Sequence, residues 1–423
     1  MIFLLWSCRC AEIRQLFRFM AAAAVLLWGA LPALSVHAET IIVPSASLRS
    51  YYDSNVYRRP KQLLAPGTQA DDFANMFGAN IALLHKTRDI DVDMKMGGIF
   101  QTYVENTNRN YFGALLNGHI GLDHWIDQYV RGAKLRVMEN LRYTPEQPSF
   151  LQGVRDLPTD VGLTTGIQGF RANTLYNTTQ FKGTYPVSRD LVVEGGYTFV
   201  IRRVGRVQGG DLPGATVYFD TMAHTWSGGP RYQLTRNDSV AATYRQTFIT
   251  QSAAQGGRNF NTNLIALEGE YTKDFQEWSF SIQGGITFAE PVGRTFPSGA
   301  LTVTTQPERD TVVYLRLSRQ GMPSFFLQGG ATISNVAGMG ISRKIYERLI
   351  LDGTVNFGYN EYFPNTDRKL QNITASSKLA YKLTRTITGE IFYIYQNIDT
   401  NSSTLQFQYS RSQAGLMLTV AWE

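Results

Sequence analysis

The chain has 423 residues, a formal net charge of +6, 17% charged residues and a mean hydropathy of −0.19. So small a positive excess over so long a chain excludes a nucleic-acid role. The averaged hydropathy is that of a soluble protein, and equally that of a membrane barrel, in which lipid-facing and lumen-facing residues alternate and cancel.

Residues 1–38 form a separate segment. Arg9, Arg14 and Arg18 make a basic region, Phe19 to Leu34 an apolar core, and Val36-His37-Ala38 a small-x-Ala cleavage site. They are expected to be a cleaved secretory signal peptide, with the barrel domain at 39–423. Removing three arginines and one glutamate with it leaves +4. Cys8 and Cys10 lie ahead of the apolar core, so they do not form a lipoprotein acceptor, and the mature chain has no cysteine for a disulfide or thiolate metal site. Export without cysteine fits the envelope of a Gram-negative bacterium.

From residue 40 onward the chain is rich in Gly, Tyr and Phe and repeats one pattern without a break in composition. Ser45, Ser47, Arg49 and Tyr51 alternate with Ala46, Leu48 and Tyr52 in a first strand. Phe77, Ala79, Ile81 and Leu83 mark a second. Ile90 to Val104 is the clearest: Ile90, Val92, Met94, Met96, Phe100 and Val104 fall on one face, and Asp91, Asp93, Lys95 and Gln101 on the other. At about 15 residues it exceeds the mode of ~5–6 for soluble strands and the ~9–11 a transmembrane strand needs. Phe112 to Leu122 forms the next strand. A tight turn at His124 to Asp127 leads to Ala133, Leu135 and Val137 opposite Lys134, Arg136 and Asn140. Residues 143–171 read as a long irregular loop, of the kind that carries function or stays disordered.

Later strands follow around 191–202, 278–288, 349–359 and 373–383. The stretch 215–234 is weaker, and Pro230, which removes a ladder donor, predicts a bulge or strand end there. Residues 309–342 fit either three short strands or one strand and an excursion. Tyr185-Pro-Val-Ser-Arg189, Tyr232-Gln-Leu-Thr-Arg236 and Tyr381-Lys-Leu-Thr-Arg385 repeat a turn, with Tyr271-Thr-Lys-Asp and Ile341-Ser-Arg-Lys as looser copies. The Tyr reads as interfacial girdle and the Arg as a headgroup or solvent contact. Longer connections are expected near 53–72, 143–171, 205–214, 251–260, 290–308 and 363–370. Short turns on one side and long loops on the other are the asymmetry of an outer-membrane barrel. The last strand, Gly415 to Glu423, puts Leu416, Leu418, Val420 and Trp422 on one face. The apolar parity differs from that of Leu405, Phe407 and Tyr409, which predicts a loop or bulge at 410–414.

The fold class is therefore all-β: a transmembrane antiparallel up-and-down barrel of about 16–18 strands, even in number, with 18 preferred. Only a closed sheet leaves no backbone group unpaired in hydrocarbon. Lys95, Lys134, Arg136, Arg202, Arg245, Arg316 and Lys378, with Asp91, Asp93, Glu194, Glu268, Glu270 and Asp352, are the expected lumen-facing charges. Charged rings of this kind either set pore selectivity or merely solvate the lumen. Ile90, Val92, Met94, Met96, Phe280, Ile282, Leu351, Val355, Phe357 and Trp422 are the expected lipid-facing residues.

Asp89, Asp91 and Asp93 are spaced as in a calcium loop, but Met94 stands where the glycine should be and Phe100 where the glutamate should be, so no metal site is expected. The mature histidines, His85, His119, His124 and His224, pair with no nucleophile in the sequence. No nucleotide or zinc-protease motif occurs. Neither a cofactor nor an enzymatic activity is expected.

Two stretches carry a family likeness. Ser47-Leu-Arg-Ser-Tyr-Tyr-Asp-Ser-Asn-Val-Tyr-Arg58 resembles the opening strand of porin-like outer-membrane β-barrel proteins encoded with bacterial exopolysaccharide and exosortase systems, the EpsL-like group. Gly166 to Thr174 and the Tyr-x-Leu-Thr-Arg turns are similar to the same group. The resemblance implies an outer-membrane location and a part in polysaccharide export, and supplies no catalytic residue. The leading expectation is a porin-like conduit or accessory in exopolysaccharide export or passage of hydrophilic solutes. The alternatives are a non-conducting structural or adhesive barrel acting through its loops, and an outer-membrane lipid or glycan hydrolase. The partners expected are outer-membrane lipid, the barrel-assembly machinery, and polysaccharide or its export proteins.

Overall fold

An extended strand of alternating character is stable only where one face meets an apolar medium and every backbone group finds a neighbour. The computed structural model satisfies both demands by closure. It describes residues 39–58, 60–64, 66–144, 172–207, 219–253, 259–290, 293–323, 331–363, 369–401 and 408–422. The leader and most of the 143–171 loop therefore lie outside the described residues.

The strands are β1 (Glu39–Asp53), β2 (Asp72–Lys86), β3 (Asp91–Tyr103), β4 (Tyr111–Gly121), β5 (Lys134–Thr144), β6 (Ala172–Pro186), β7 (Leu191–Val207), β8 (Phe219–Gln233) and β9 (Asp238–Ala253). They continue as β10 (Phe260–Asp274), β11 (Trp278–Glu290), β12 (Arg294–Glu308), β13 (Thr311–Pro323), β14 (Ala331–Tyr346), β15 (Leu349–Phe363), β16 (Lys369–Lys382), β17 (Ile387–Thr400) and β18 (Tyr409–Ala421). Each pairs antiparallel with its sequence neighbours, and β1 pairs with both β2 and β18, so the 18 strands close into a ring. The upper of the two expected strand numbers is the observed one. The even number returns Ala421 to the end of the barrel where Glu39 begins.

The two faces are told apart by exposure. On β2 and β3, Phe73, Phe77 and Phe100 are 62%, 51% and 47% exposed, whereas Ala74, Gln101 and Tyr103 are buried. Phe77 faces Phe100 and Leu48 in register, so one apolar face runs unbroken from strand to strand. It is the outside. The opposite face, which carries buried tyrosines and ion pairs, is the inside.

Five local expectations are corrected. Pro230 neither ends nor bulges β8: pairing with β9 lapses at Gly229 and Pro230 and resumes in the same register at Arg231↔Ala241, while pairing with β7 runs through it. The proline sits where a ladder bond is already missing. Residues 294–308 are not a connection but β12. Its Pro297 pairs with Ile286 on one side, and pairing with β13 starts only at Gly299, so its missing N–H is not needed. Residues 309–342 hold two full strands, β13 and β14, and Ile341-Ser-Arg-Lys lies inside β14 rather than in a turn. No bulge interrupts β18: its register with β17 is continuous from Tyr409 to Val420, and Tyr409 is buried on the inner face. The expected tight turn after β4 is instead a short helix, α1 (Asp123–Asp127), in a connection that runs on to β5.

The repeated turn has a plain cause. Ser188 Oγ accepts the backbone N–H of Asp190 and Leu191, Thr235 Oγ1 that of Asn237, and Thr384 Oγ1 those of Thr386 and Ile387. The hydroxyl holds the turn by satisfying donors two and three residues on. Thr87 does the same for Asp89 and Ile90 in the β2–β3 turn, where Leu84 stands in the tyrosine's place.

Candidate functional site in the barrel interior

The inner face of β7 to β12 carries a charge ladder. Period-two alternation puts Glu194, Arg231, Arg245, Glu268 and Glu270 on this face, and register sets them side by side. Arg231 Nε donates to Glu194 Oε1 at 2.6 Å and its Nη2 to Glu270 Oε2 at 2.9 Å. It reaches across β9 because the residue between is Ala241, too small to intervene. Ser281 and Thr272 donate to the other oxygen of Glu270 at 2.8 and 3.2 Å. Arg245 donates to Glu268 at 2.6 Å, and Gln283 and Ser298 complete that carboxylate at 2.9 and 3.3 Å. Further round, Lys378 lies 3.2 Å from Asp352. Each of these carboxylates is matched by a cation on its own or a nearby strand.

A second cluster occupies the inner face at the long-loop end, where β18 meets β1. Arg411 Nε donates to Asp53 Oδ1 at 2.9 Å, and Gln413 Nε2 and the Asn55 N–H also donate to that carboxylate. Arg411 and Asp53 are both buried. The connection 54–71 packs against the inner wall rather than outward: Val56 is buried among Tyr51, Ala74, Tyr103, Phe392 and Ile394. Ser54 N–H bonds to Ser412 O and Val56 N–H to Ala70 O, and Tyr57 OH donates to Asn106 Oδ1 at 2.7 Å. The Arg109 guanidinium stacks on Tyr57 at 4.4 Å, and that of Arg49 on Phe392 at 3.8 Å. The cluster narrows the mouth on this side.

The remaining expected residues are placed as follows. Asp91, Asp93 and Lys95 lie on the face of β3 that carries Gln101, and all three are exposed. Lys134 and Arg136 lie on the same side of β5, aligned through β4 with that face. Arg202 shares the face of Glu194, and Arg316 that of buried Tyr314. Of the residues expected outside, Ile282, Leu351, Val355, Phe357 and Trp422 are 50%, 37%, 40%, 41% and 52% exposed on the outer face. Phe280 and Met96 are half-buried there. Val92 and Met94 share that face but are buried; Met94 lies flat over Gly118 of β4, whose missing side chain leaves it room. Ile90 is outside the strand, its carbonyl accepting the Thr87 N–H.

Sequence reasoning missed Arg231, Asp53, Arg411 and the tyrosines around them. Arg231 stands beside Pro230 and Arg411 in the stretch read as a bulge, so the signal, a charged residue in phase with its strand, was obscured at both. Glu139 was missed in the opposite sense: register puts it on the outer face beside Gly118 and Thr179, where Thr179 and Asn177 hydrogen-bond it. Among the described residues, His119 is hydrogen-bonded to no serine, and no group of side chains is arranged to hold a metal ion.

Residues 299–421, from β12 to β18, match the family model described as "Putative beta-barrel porin 2". No curated protein matches the chain. Among solved structures, Pseudomonas aeruginosa OpdQ matches with a TM-score of 0.43 at 11% identity, covering 90% of this chain and 97% of that one. Acinetobacter baumannii OccAB3 matches with 0.44 at 12% identity, covering 90% and 99%. Pseudomonas aeruginosa OccK1 (OpdK) matches with 0.44 at 12% identity, covering 90% and 98%. A closed barrel with an apolar exterior is the one sheet architecture that can cross a bilayer. The protein is a multi-pass β-barrel of the outer membrane.

Proposed function

We propose that the barrel passes hydrophilic solutes across the outer membrane and serves as conduit or accessory in exopolysaccharide export. The observation that carries the first half is the charge ladder. Arg231 and Arg245 hold Glu194, Glu268 and Glu270 against the wall with their hydrogen-bonding capacity largely met. Such a surface stays wetted without trapping a charged solute. Thr, Ser, Asn and Gln side chains on the same inner face, among them Thr225, Thr247, Asn356 and Asn372, offer donors and acceptors suited to hydroxylated solutes. The link to exopolysaccharide rests on the likeness of Ser47 to Arg58 to the EpsL-like group. The corresponding partners are export proteins of that system, with the barrel-assembly machinery during biogenesis.

Recording from single molecules in planar bilayers tests the reading. Discrete current steps in KCl, reduced by added exopolysaccharide, are the expected result. A chain that inserts, shifts on a detergent gel when heated, and passes no current at any voltage would remove the channel reading. One observation favours that outcome: the connection 54–71 is packed into the mouth, as it would be in a closed barrel that acts through its surface.

A further inference from the structure

The ring does not close over the full length of β1. Pairing with β2 runs the whole strand, from Glu39↔Lys86 to Asp53↔Asp72. Pairing with β18 covers only Ser45↔Ala421 to Asp53↔Gln413, and the last bond on that side runs from the Trp422 N–H to the Pro44 carbonyl. Glu39 to Pro44 therefore pair along one edge alone. In an antiparallel ladder the N–H and C=O of a residue point to the same side, and that side alternates along the strand. Pro44 faces β18, so Ile42 and Thr40 face the open side, with one donor and one acceptor each. Among the described residues nothing bonds to these groups.

This edge stands in water rather than in lipid. The Ala421 N–H bonds the carbonyl of Thr386 in the β16–β17 turn. Strand β18 thus already reaches the rim, and Glu39 to Pro44 run on past it by about 20 Å of strand. Ile41 and Ile42 point to opposite faces there and are 44% and 60% exposed. Leu84, in register with Ile41, is 41% exposed. Hydrocarbon does not account for these side chains beyond the rim. Natural edge strands are blunted by a lysine, a proline, a bulge or shortness. Here the register with β2 is unbroken, and Thr40 to Val43 carry no charge.

We propose that Glu39 to Val43 is a docking edge for an extended segment of a periplasmic protein, which adds a strand antiparallel to β1 in continuation of β18. A row of N–H and C=O groups at strand spacing is complementary to another extended backbone, not to a lipid or a sugar. Successive apolar side chains of the segment meet Ile42 on the outer face and Ile41 on the inner. The inference does not depend on solute passage. It takes only the usual orientation of such barrels, with short turns toward the periplasm.

Fluorescence anisotropy on the purified barrel in detergent tests it, with a labelled synthetic peptide copying Ala79 to Lys86 as the probe. That sequence already pairs with the other edge of this stretch. The expected result is saturable binding that weakens about tenfold or more in I42P, as one backbone bond and the fit around it are lost. Proline at 42 removes an N–H that points away from β2, so I42P should keep the heat-modifiable gel shift. On the unaltered barrel, peptides N-methylated at single residues should fall into two alternating classes, one that no longer binds and one that still does. No binding, equal loss at every N-methyl position, or binding unchanged in I42P would overturn the docking edge. A barrel that self-associates without the peptide, and is monomeric only as I42P, would give the edge to a second copy and overturn the periplasmic partner. T40C should react with a membrane-impermeant maleimide only after the outer membrane is permeabilised. Labelling in intact cells would put this end outside and overturn the assignment.

Discussion

Arg411 on the last strand and Asp53 on the first meet across the closing seam of the barrel, Nε to Oδ1 at 2.9 Å, with side-chain exposures of 7% and 0%. The pair joins the last strand to the first, where the ring must shut. Breaking a buried pair leaves one charge without its partner, at about 3–5 kcal/mol. R411M should therefore lower the temperature of the heat-modifiable gel shift far more than a surface substitution does. D53A/R411A should lose less than the sum of D53A and R411A. Additive losses would show that the two side chains do not act as a pair.

Arg231 bridges Glu194 and Glu270 from one guanidinium. All three side chains are about a quarter to two-fifths exposed, so solvent screens the pair and the stabilisation is modest, about 1 kcal/mol. The larger consequence is electrical. R231Q leaves two carboxylates on the wall without their shared cation, and the reversal potential in a KCl gradient should move toward cation preference. R231K should retain part of the original value, because an ammonium supplies the charge but not two divergent N–H groups. An R231Q channel with unchanged selectivity would place the ladder outside the conducting path.

These two groups also show how far the sequence could be read. The outer face was legible nearly everywhere, because hydrocarbon accepts only apolar side chains: Phe280, Ile282, Leu351, Val355 and Trp422 all kept their phase. The inner face was not, because it has no single solvent. Where the interior is packed it selects apolar residues, as with Val200, Ala223, Ile249, Leu264 and Phe296, which form one buried cluster. There both faces of a strand are apolar and the alternation fades. The same packing explains Tyr409, whose apolar character suggested the outside although it lies buried within. Pro230 and Pro297 obscured β8 and β12 because a proline's cost depends on which side of the strand needs its N–H, and pairing is not written in a single strand. The clusters at Arg231 and Arg411 depend on partners tens or hundreds of residues away, so residue type alone could not bring them together.

The turn hydroxyls make a local prediction. Thr384 Oγ1 accepts the N–H groups of Thr386 and Ile387 at 3.2 and 3.0 Å, and Thr235 Oγ1 donates to Asp238 Oδ2 at 2.6 Å while accepting from Asn237. T384A and T235A should each cost about 0.5–1 kcal/mol in urea unfolding from lipid vesicles, the net value of such a bond at an exposed site. T384S should be nearly neutral. R385A and R236A should leave the unfolding midpoint unchanged, because in the repeated motif the hydroxyl holds the turn and the arginine only extends from it.

Strand β3 gives a sharper test of the two faces, and burial changes where it should be placed. The sequence pattern alone would put lipid-sensing labels at Met94 and Met96. Met94 is only 7% exposed, however, and its Cγ lies 2.7 Å from where a Gly118 Cβ would stand, so a label there would be shielded by β4. Phe100, on the same face and 47% exposed, reports the outer surface without that cover. In cysteine variants carrying an environment-sensitive dye, F100C and F77C should be quenched by lipid-borne quenchers and D93C and K95C by aqueous ones. M94C should respond weakly to both. A one-residue slip of β3 would exchange the two sets, since side chains alternate with a period of two. Aqueous quenching at F100C, or lipid quenching at K95C, would therefore overturn the register. G118V adds a further check. A β-branched side chain would meet both Met94 and the Asp93 carbonyl, 2.5 Å from the position of its Cβ, and should displace Met94 outward. M94C/G118V should then gain the lipid response that M94C lacks.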